Sequence, residues 1–124
     1  MLNETHMKAA LQSYLDALNA ADVEGVIALF ADEGTIEDPV GTGVHAAREG
    51  LTRLVGGLPA GATFALDTPI RASQANGAAM AFTVQLERNG VRTQIRSLDV
   101  MQFNEAGLIV EVKAYYGPSD ITAM

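Results

Sequence analysis

Asn89-Gly90 lies between two long runs of alternating side chains, Met80 to Arg88 and Val91 to Phe103. That dipeptide leaves the two runs little choice in how they pair. Asn-Gly favours a two-residue turn whose twist matches that of the strands it joins. Such a turn pairs Arg88 with Val91. Counting outward sets Leu86 against Thr93, Val84 against Ile95, Phe82 against Ser97 and Met80 against Asp99. Side chains alternate along a strand, so all of these share one face of the sheet, as does Met101. The face is apolar except at Thr93, Ser97 and Asp99. A slip of one residue would turn Asp99 out into water. In the two-residue register it lies among Met80, Phe82 and Met101, where an ionised carboxylate is costly. An acid so placed has a raised pKa, keeps its proton near neutral pH and becomes a hydrogen-bond donor.

The remaining elements follow from periodicity. Met7, Leu11, Tyr14 and Leu18 recur at spacings of four, three and four, one face of a helix that Thr5 can cap. Asp22 can cap a short second helix carrying Val23, Val26, Ile27 and Phe30. Thr35 to Asp38 reads as a strand, and Ala46 to Val55 as a third helix stopped at Gly56-Gly57. Thr63 to Ala72 is a strand interrupted at Pro69, and Leu108 to Tyr116 is the last strand. Helices followed by a run of antiparallel strands make an α+β pattern, with the helices covering one face of the sheet.

A chain of 124 residues is expected to form one domain over 1–124, with room for a core and one pocket. An apolar fraction of 48% and a charged fraction of 19% are those of a soluble globular protein. No run of eighteen apolar residues predicts a membrane span, and the polar start MLNETHMKAALQ lacks the form of a signal peptide, so a cytoplasmic location is expected. The absence of cysteine excludes disulfides, thiol catalysis and thiolate metal sites. A net charge of −7 argues against nucleic acid as a partner.

Asp38 raises the second question. It shares a strand face with Ile36, which belongs in the core, and stands just before Pro39. It is either a partly solvated acid closing a strand or a carboxylate on a pocket wall. Tyr14 in turn is either a core tyrosine or a donor aimed into that pocket. Taken together, the three polar groups fit one chemistry. A partly desolvated carboxylate is a base poised near neutral pH, and donors held in a dry site stabilise an oxyanion. With Asp38 as base and Tyr14 and Asp99 as donors, that chemistry is proton abstraction beside a carbonyl.

Tyr14 with Ala17-Leu18-Asn19, Ile27 to Asp32, Thr35 to Gly41, Ile70 to Ser73, Met80-Ala81-Phe82 and Leu98 to Phe103 together resemble the bacterial Δ5-3-ketosteroid isomerases, of the NTF2-like superfamily. The resemblance covers nearly the whole chain. Its most specific part is Tyr14, Asp38-Pro39 and Asp99 in combination. It implies an NTF2-like cone: three N-terminal helices packed on a curved mixed, mostly antiparallel sheet, in a homodimer. It implies that Asp38 moves a proton from C4 to C6 of a 3-oxo-Δ5-steroid. Tyr14 and protonated Asp99 would hold the 3-oxyanion. No metal or organic cofactor is implied. Met80, Phe82, Met101 and Tyr116 match positions that line the steroid site, and Leu18, Val84 and Val112 are candidate wall residues. One departure stands out. Leu54-Val55 replaces a Phe-Tyr pair whose tyrosine bonds the catalytic tyrosine, so Tyr14 is expected to lack that partner and to be less acidic.

Other NTF2-like enzymes are the first alternative: epoxide hydrolases, dehydratases and polyketide cyclases share the fold. A hydrolase of this kind wants an Asp-Arg-Asp network, but Arg96 points away from the face of Asp99. A dehydratase wants pocket histidines, and His6 and His45 fall at a helix start and in a loop. A non-catalytic module binding a small apolar ligand is the second alternative. The last strands, including Ile109, offer a surface that could serve an interface.

Overall fold

A computed structural model describes residues 2–124. Helix α1 (Glu4–Asn19) is capped by Asn3, whose side chain accepts from the His6 amide at 2.8 Å; Thr5, the expected cap, lies inside the helix. Asn3 prevails because its side chain stands one residue ahead of the helix and reaches a free first-turn N–H. Asp22 caps α2 (Val23–Ile27) as expected, accepting from Gly25 N. Strands β1 (Phe30–Glu37) and β2 (His45–Ala46) come before α3 (Ala47–Gly56). Two helices, not three, therefore precede the first strand.

The sheet continues through β3 (Thr63–Leu66), β4 (Arg71–Ala72), β5 (Gly77–Arg88), β6 (Val91–Phe103), β7 (Ile109–Tyr115) and β8 (Ile121–Ala123). The expected strand from Thr63 to Ala72 is two short ones, broken from Asp67 onward. Asp67 still touches β5, donating from its N to Ala81 O at 2.9 Å and accepting from Thr83 Oγ1 at 2.8 Å; the pairing stops beyond it, where Pro69 cannot donate to a ladder. The strand order is β2-β1-β7-β6-β5-β3, with β4 also on β5 and β8 also on β6. Every pairing is antiparallel except β1 with β7, which makes the sheet mixed. The β5–β6 ladder has the register that the Asn89-Gly90 turn predicts, from Arg88↔Val91 to Met80↔Asp99. Asn89 and Gly90 both have positive φ, 53° and 79°.

The buried faces of α1, α2 and α3 meet the inner face of this sheet in one apolar cluster. α1 packs on β3, β4 and β5, and α3 on β1 and β2. Asn19, at the end of α1, clamps β3: it donates to Phe64 O at 2.9 Å and accepts from Phe64 N at 2.7 Å. Ile109, expected as an interface candidate, is fully buried opposite Phe30, because it opens the strand that runs parallel to β1 through the core.

Gly50 lets α3 rest directly on β1. A Cβ there would lie 2.5 Å from Ile36 Cγ2, and Ile36 is buried with nowhere to go. Gly50→Ala is therefore expected to destabilise the fold by about 1–2 kcal/mol despite the better helix propensity of alanine. A lowered urea midpoint would show it.

Candidate active site

The helical period puts Tyr14 on the buried stripe of α1, beside Leu11, Leu15 and Leu18. Its ring tilts against Phe30 of β1, with centroids 6.2 Å apart. The ring is 1% exposed, and its hydroxyl has no hydrogen-bond partner among the described residues. Val55, where the resemblance leads one to expect a tyrosine, is buried and carries no polar group to meet it.

Asp38 follows directly on β1, and its bond to Pro39 is cis. The segment stays beside β7 after the strand ends, because Val40 N donates to Ala114 O at 2.8 Å. Glu37, pointing the other way, accepts from Gly41 N at 2.9 Å and from Gly43 N at 3.3 Å, which shapes the turn. The two adjacent acids thus divide their work. Glu37 holds the loop, and Asp38 faces a cavity on the side of buried Ile36.

Asp99 lies in the centre of the sheet on β6, paired with Met80 on one side and Ala114 on the other. It is 1% exposed. Ser97 Oγ donates to its Oδ1 at 2.8 Å.

Tyr14, Asp38 and Asp99 line one apolar cavity of about 170 Å³. Of the expected wall residues, Leu18, Phe82, Val84 and Tyr116 line it too. Met80, Met101 and Val112 do not; they are packed in the apolar core on the same sheet face. The wall also includes Leu54, Leu58, Phe64, Leu86, Ile95 and Ser97. The hairpin register already put Leu86, Ile95 and Ser97 on this face. Leu54 and Leu58 carried no comparable signal, since they reach the cavity through the docking of α3.

Burial pushes the Asp38 carboxyl up to about 6. Burial and the charge of Asp38 push Asp99 up to about 8, against the lowering effect of the Ser97 hydrogen bond. Burial, then the two acids, hold the Tyr14 phenol well above its usual value. Tyr116, half-buried, is raised by burial and by Asp38, while Arg88 opposes. Between about 6 and about 8 Asp38 is therefore ionised and Asp99 protonated on the walls of the same cavity.

A second cavity, of about 260 Å³, shares Asp38, Leu54 and Tyr116 with the first and adds His45 and Arg53. An outer cleft of about 470 Å³ shares Leu54, Leu58, Leu86, Ile95 and Tyr116 with the first and has Glu87, Arg88 and Asn89 at its rim. Arg96 is exposed on the opposite sheet face, so no Asp-Arg-Asp network forms around Asp99. His6 Nε2 lies 2.7 Å from Gly107 O, away from the cavity. Among the described residues no cluster of His, Cys, Asp and Glu could hold a metal ion, and no helix is long and apolar enough to cross a membrane.

Both raised acids bear on stability. Asp99 is near 3.8 when unfolded and about 8 when folded, so the native state holds its proton where the unfolded chain has lost it. Its contribution is complete below about 4 and is lost as pH rises toward about 8. The expected result is a urea midpoint that falls across that window, with Asp99 contributing up to about 1.4 kcal/mol of stability per pH unit and Asp38 adding to the fall only up to about pH 6. Asp99→Asn should flatten the fall.

The profile of the SnoaL-like domain family matches residues 11–112. The steroid Delta-isomerase of Nocardioides simplex is 31% identical over 115 residues, which is 93% of each chain. The epoxide hydrolase LasB of Streptomyces lasalocidi is 30% identical over 122 residues, covering 94% of this chain and 43% of that protein. Among solved structures, the epoxide hydrolase/cyclase-like enzyme SalBIII, described for pyran ring formation in the polyether salinomycin, superposes with a TM-score of 0.84 at 26% identity over 97% of each chain.

Proposed function

The chain belongs to the SnoaL-like domain family, and within its NTF2-like fold we propose that this protein is a cofactor-independent steroid Δ-isomerase. One observation carries the proposal: a single apolar cavity is lined by two acids whose pKa values burial raises to different heights and by a buried phenol with no partner among the described residues. The ionised Asp38 takes a proton from C4 of a 3-oxo-Δ5-steroid. The C4–H electron pair becomes the C3–C4 double bond, and the carbonyl pair moves onto O3. Tyr14 and Asp99 donate hydrogen bonds to that oxygen as its charge develops, where preorganised donors act most strongly. The O3 pair then returns. The C3–C4 double bond shifts to C4–C5, and the C5–C6 pair takes the proton back from Asp38 at C6. The product is the conjugated 3-oxo-Δ4-steroid, and no electrons enter or leave.

Size supports the same reading. The inner cavity is smaller than the roughly 300 Å³ at which ligand pockets begin, so it takes the reacting ring. The outer cleft continues from it and takes the remaining rings. The homodimer implied by the isomerase resemblance belongs to this reading, and sedimentation velocity would measure it.

The test is conversion of 5-androstene-3,17-dione, followed by the ultraviolet absorbance of the conjugated enone. Turnover whose kcat/KM rises near pH 6 and falls near pH 8 supports the proposal. Steroid binding without turnover would leave an apolar-ligand module instead.

One observation favours a second reading, epoxide opening. The same pair of protonation states supplies a base for a hydroxyl nucleophile and an acid for an epoxide oxygen, and the cavity carrying His45 and Arg53 also includes Asp38. LasB and SalBIII are the relatives that point there. Opening of a hydroxy-epoxide, with no enone from the steroid, would select it.

A further inference from the structure

Ser97 and Asp99 stand two residues apart on β6, so both side chains rise from the inner face of the sheet. Both line the cavity, and Ser97 is only 7% exposed. The bond from Ser97 Oγ to Asp99 Oδ1, at 2.8 Å, is the one side-chain hydrogen bond that Asp99 makes among the described residues. A carboxyl rotates freely about its last bond unless something holds it. With Oδ1 engaged by Ser97, the proton belongs on Oδ2. We infer that Ser97 is a positioning residue: it locks the Asp99 carboxyl so that the Oδ2 proton is the one offered to a substrate oxygen in the cavity. The inference deepens the proposed function and rests on it for its kinetic consequence, though not for its chemical one.

Ser97 also acts on acidity. A hydroxyl donating to a carboxylate favours the charged form, and here it opposes burial and the charge of Asp38. The other titratable groups lining the cavity are Tyr14 from α1, Asp38 after β1 and Tyr116 after β7. Burial and the charge of Asp38 disfavour a negative charge on Asp99, which leaves Ser97 as the neighbour that eases its ionisation. It makes Asp99 a stronger acid while leaving it protonated at neutral pH.

The test uses Ser97→Ala and Ser97→Thr in the full chain. The carbon-13 titration of the Asp99 carboxyl needs no substrate. It should move to higher pH by roughly one unit in Ser97→Ala and return in Ser97→Thr, which restores the hydroxyl. With 5-androstene-3,17-dione, Ser97→Ala should lose about tenfold in kcat at pH 7 with KM little changed, yet remain active to higher pH than the parent. Slower turnover with a wider alkaline range is not what a loosened core would give. A carboxyl titration unmoved in Ser97→Ala, or moved equally in Ser97→Thr, would overturn the inference. If the parent protein does not turn the steroid over, the proposed reaction fails, while the carboxyl titration still decides what Ser97 does. Circular dichroism identifies a misfolded alanine variant, in which case the Ser97→Cys carboxyl, with its weaker donor, should titrate above the parent's.

Discussion

Asp38→Asn is expected to lower kcat on a 3-oxo-Δ5-steroid by about 100- to 10,000-fold, with KM changed only a few-fold. Asparagine has almost the shape of aspartate, so the cavity and the Ile36 face beside it keep their form. What is lost is the oxygen that accepts the proton from C4 and returns it at C6. The acid limb of kcat/KM, placed near pH 6 by the partial burial of Asp38, should vanish with it. A second effect follows from charge. Asp38 raises the pKa of both Tyr14 and Asp99, so its neutralisation should make each more acidic and draw the alkaline limb toward neutral pH. Rate loss joined to an alkaline limb at lower pH separates removal of a charged base from damage to the pocket. Unchanged turnover in Asp38→Asn would remove Asp38 from the chemistry altogether.

The route to Asp99 could be followed in the sequence because a two-residue turn sets a register and alternation then sets a face. The ladder agrees pair by pair from Arg88↔Val91 to Met80↔Asp99. Tyr14 was legible for a similar reason, since its neighbours repeat at helical spacing. Alternation, however, assigns a side chain to a face and not to a depth. Met101 and Phe103 are buried in the core, while Ile95 and Leu86, on the same face nearer the hairpin tip, are only partly covered and line the cavity. Where the open part of the face begins depends on where α1 and α3 dock, and those contacts join residues far apart in sequence. The same reason hid Leu54, Leu58 and Phe64. It also hid the parallel run of β1 beside β7, which brings Ile36 against Val112 and carries Asp38 to the cavity. Local pattern could show that Asp38 and Ile36 share a side. It could not show what faces them.

Tyr14→Phe should move stability and activity in opposite directions. The Tyr14 hydroxyl is buried without a partner among the described residues, and an unsatisfied buried polar group costs about 1–3 kcal/mol. Phenylalanine keeps the ring against Phe30 and removes that cost, so the urea midpoint should rise by the equivalent of about 1 kcal/mol. Activity should fall, because a preorganised donor to an oxyanion is worth about 100- to 1,000-fold in kcat. The two results have one cause. A hydroxyl with no protein acceptor is costly in the free protein, and that is what leaves it ready when charge develops on a substrate oxygen. A tyrosine that merely fills the core would gain stability in the same way but lose no rate. A tyrosine whose hydroxyl bonds within the protein would lose stability instead. Urea unfolding and steady-state kinetics on the one variant therefore distinguish all three roles, and only a donor held in reserve for the oxyanion predicts a more stable, slower enzyme.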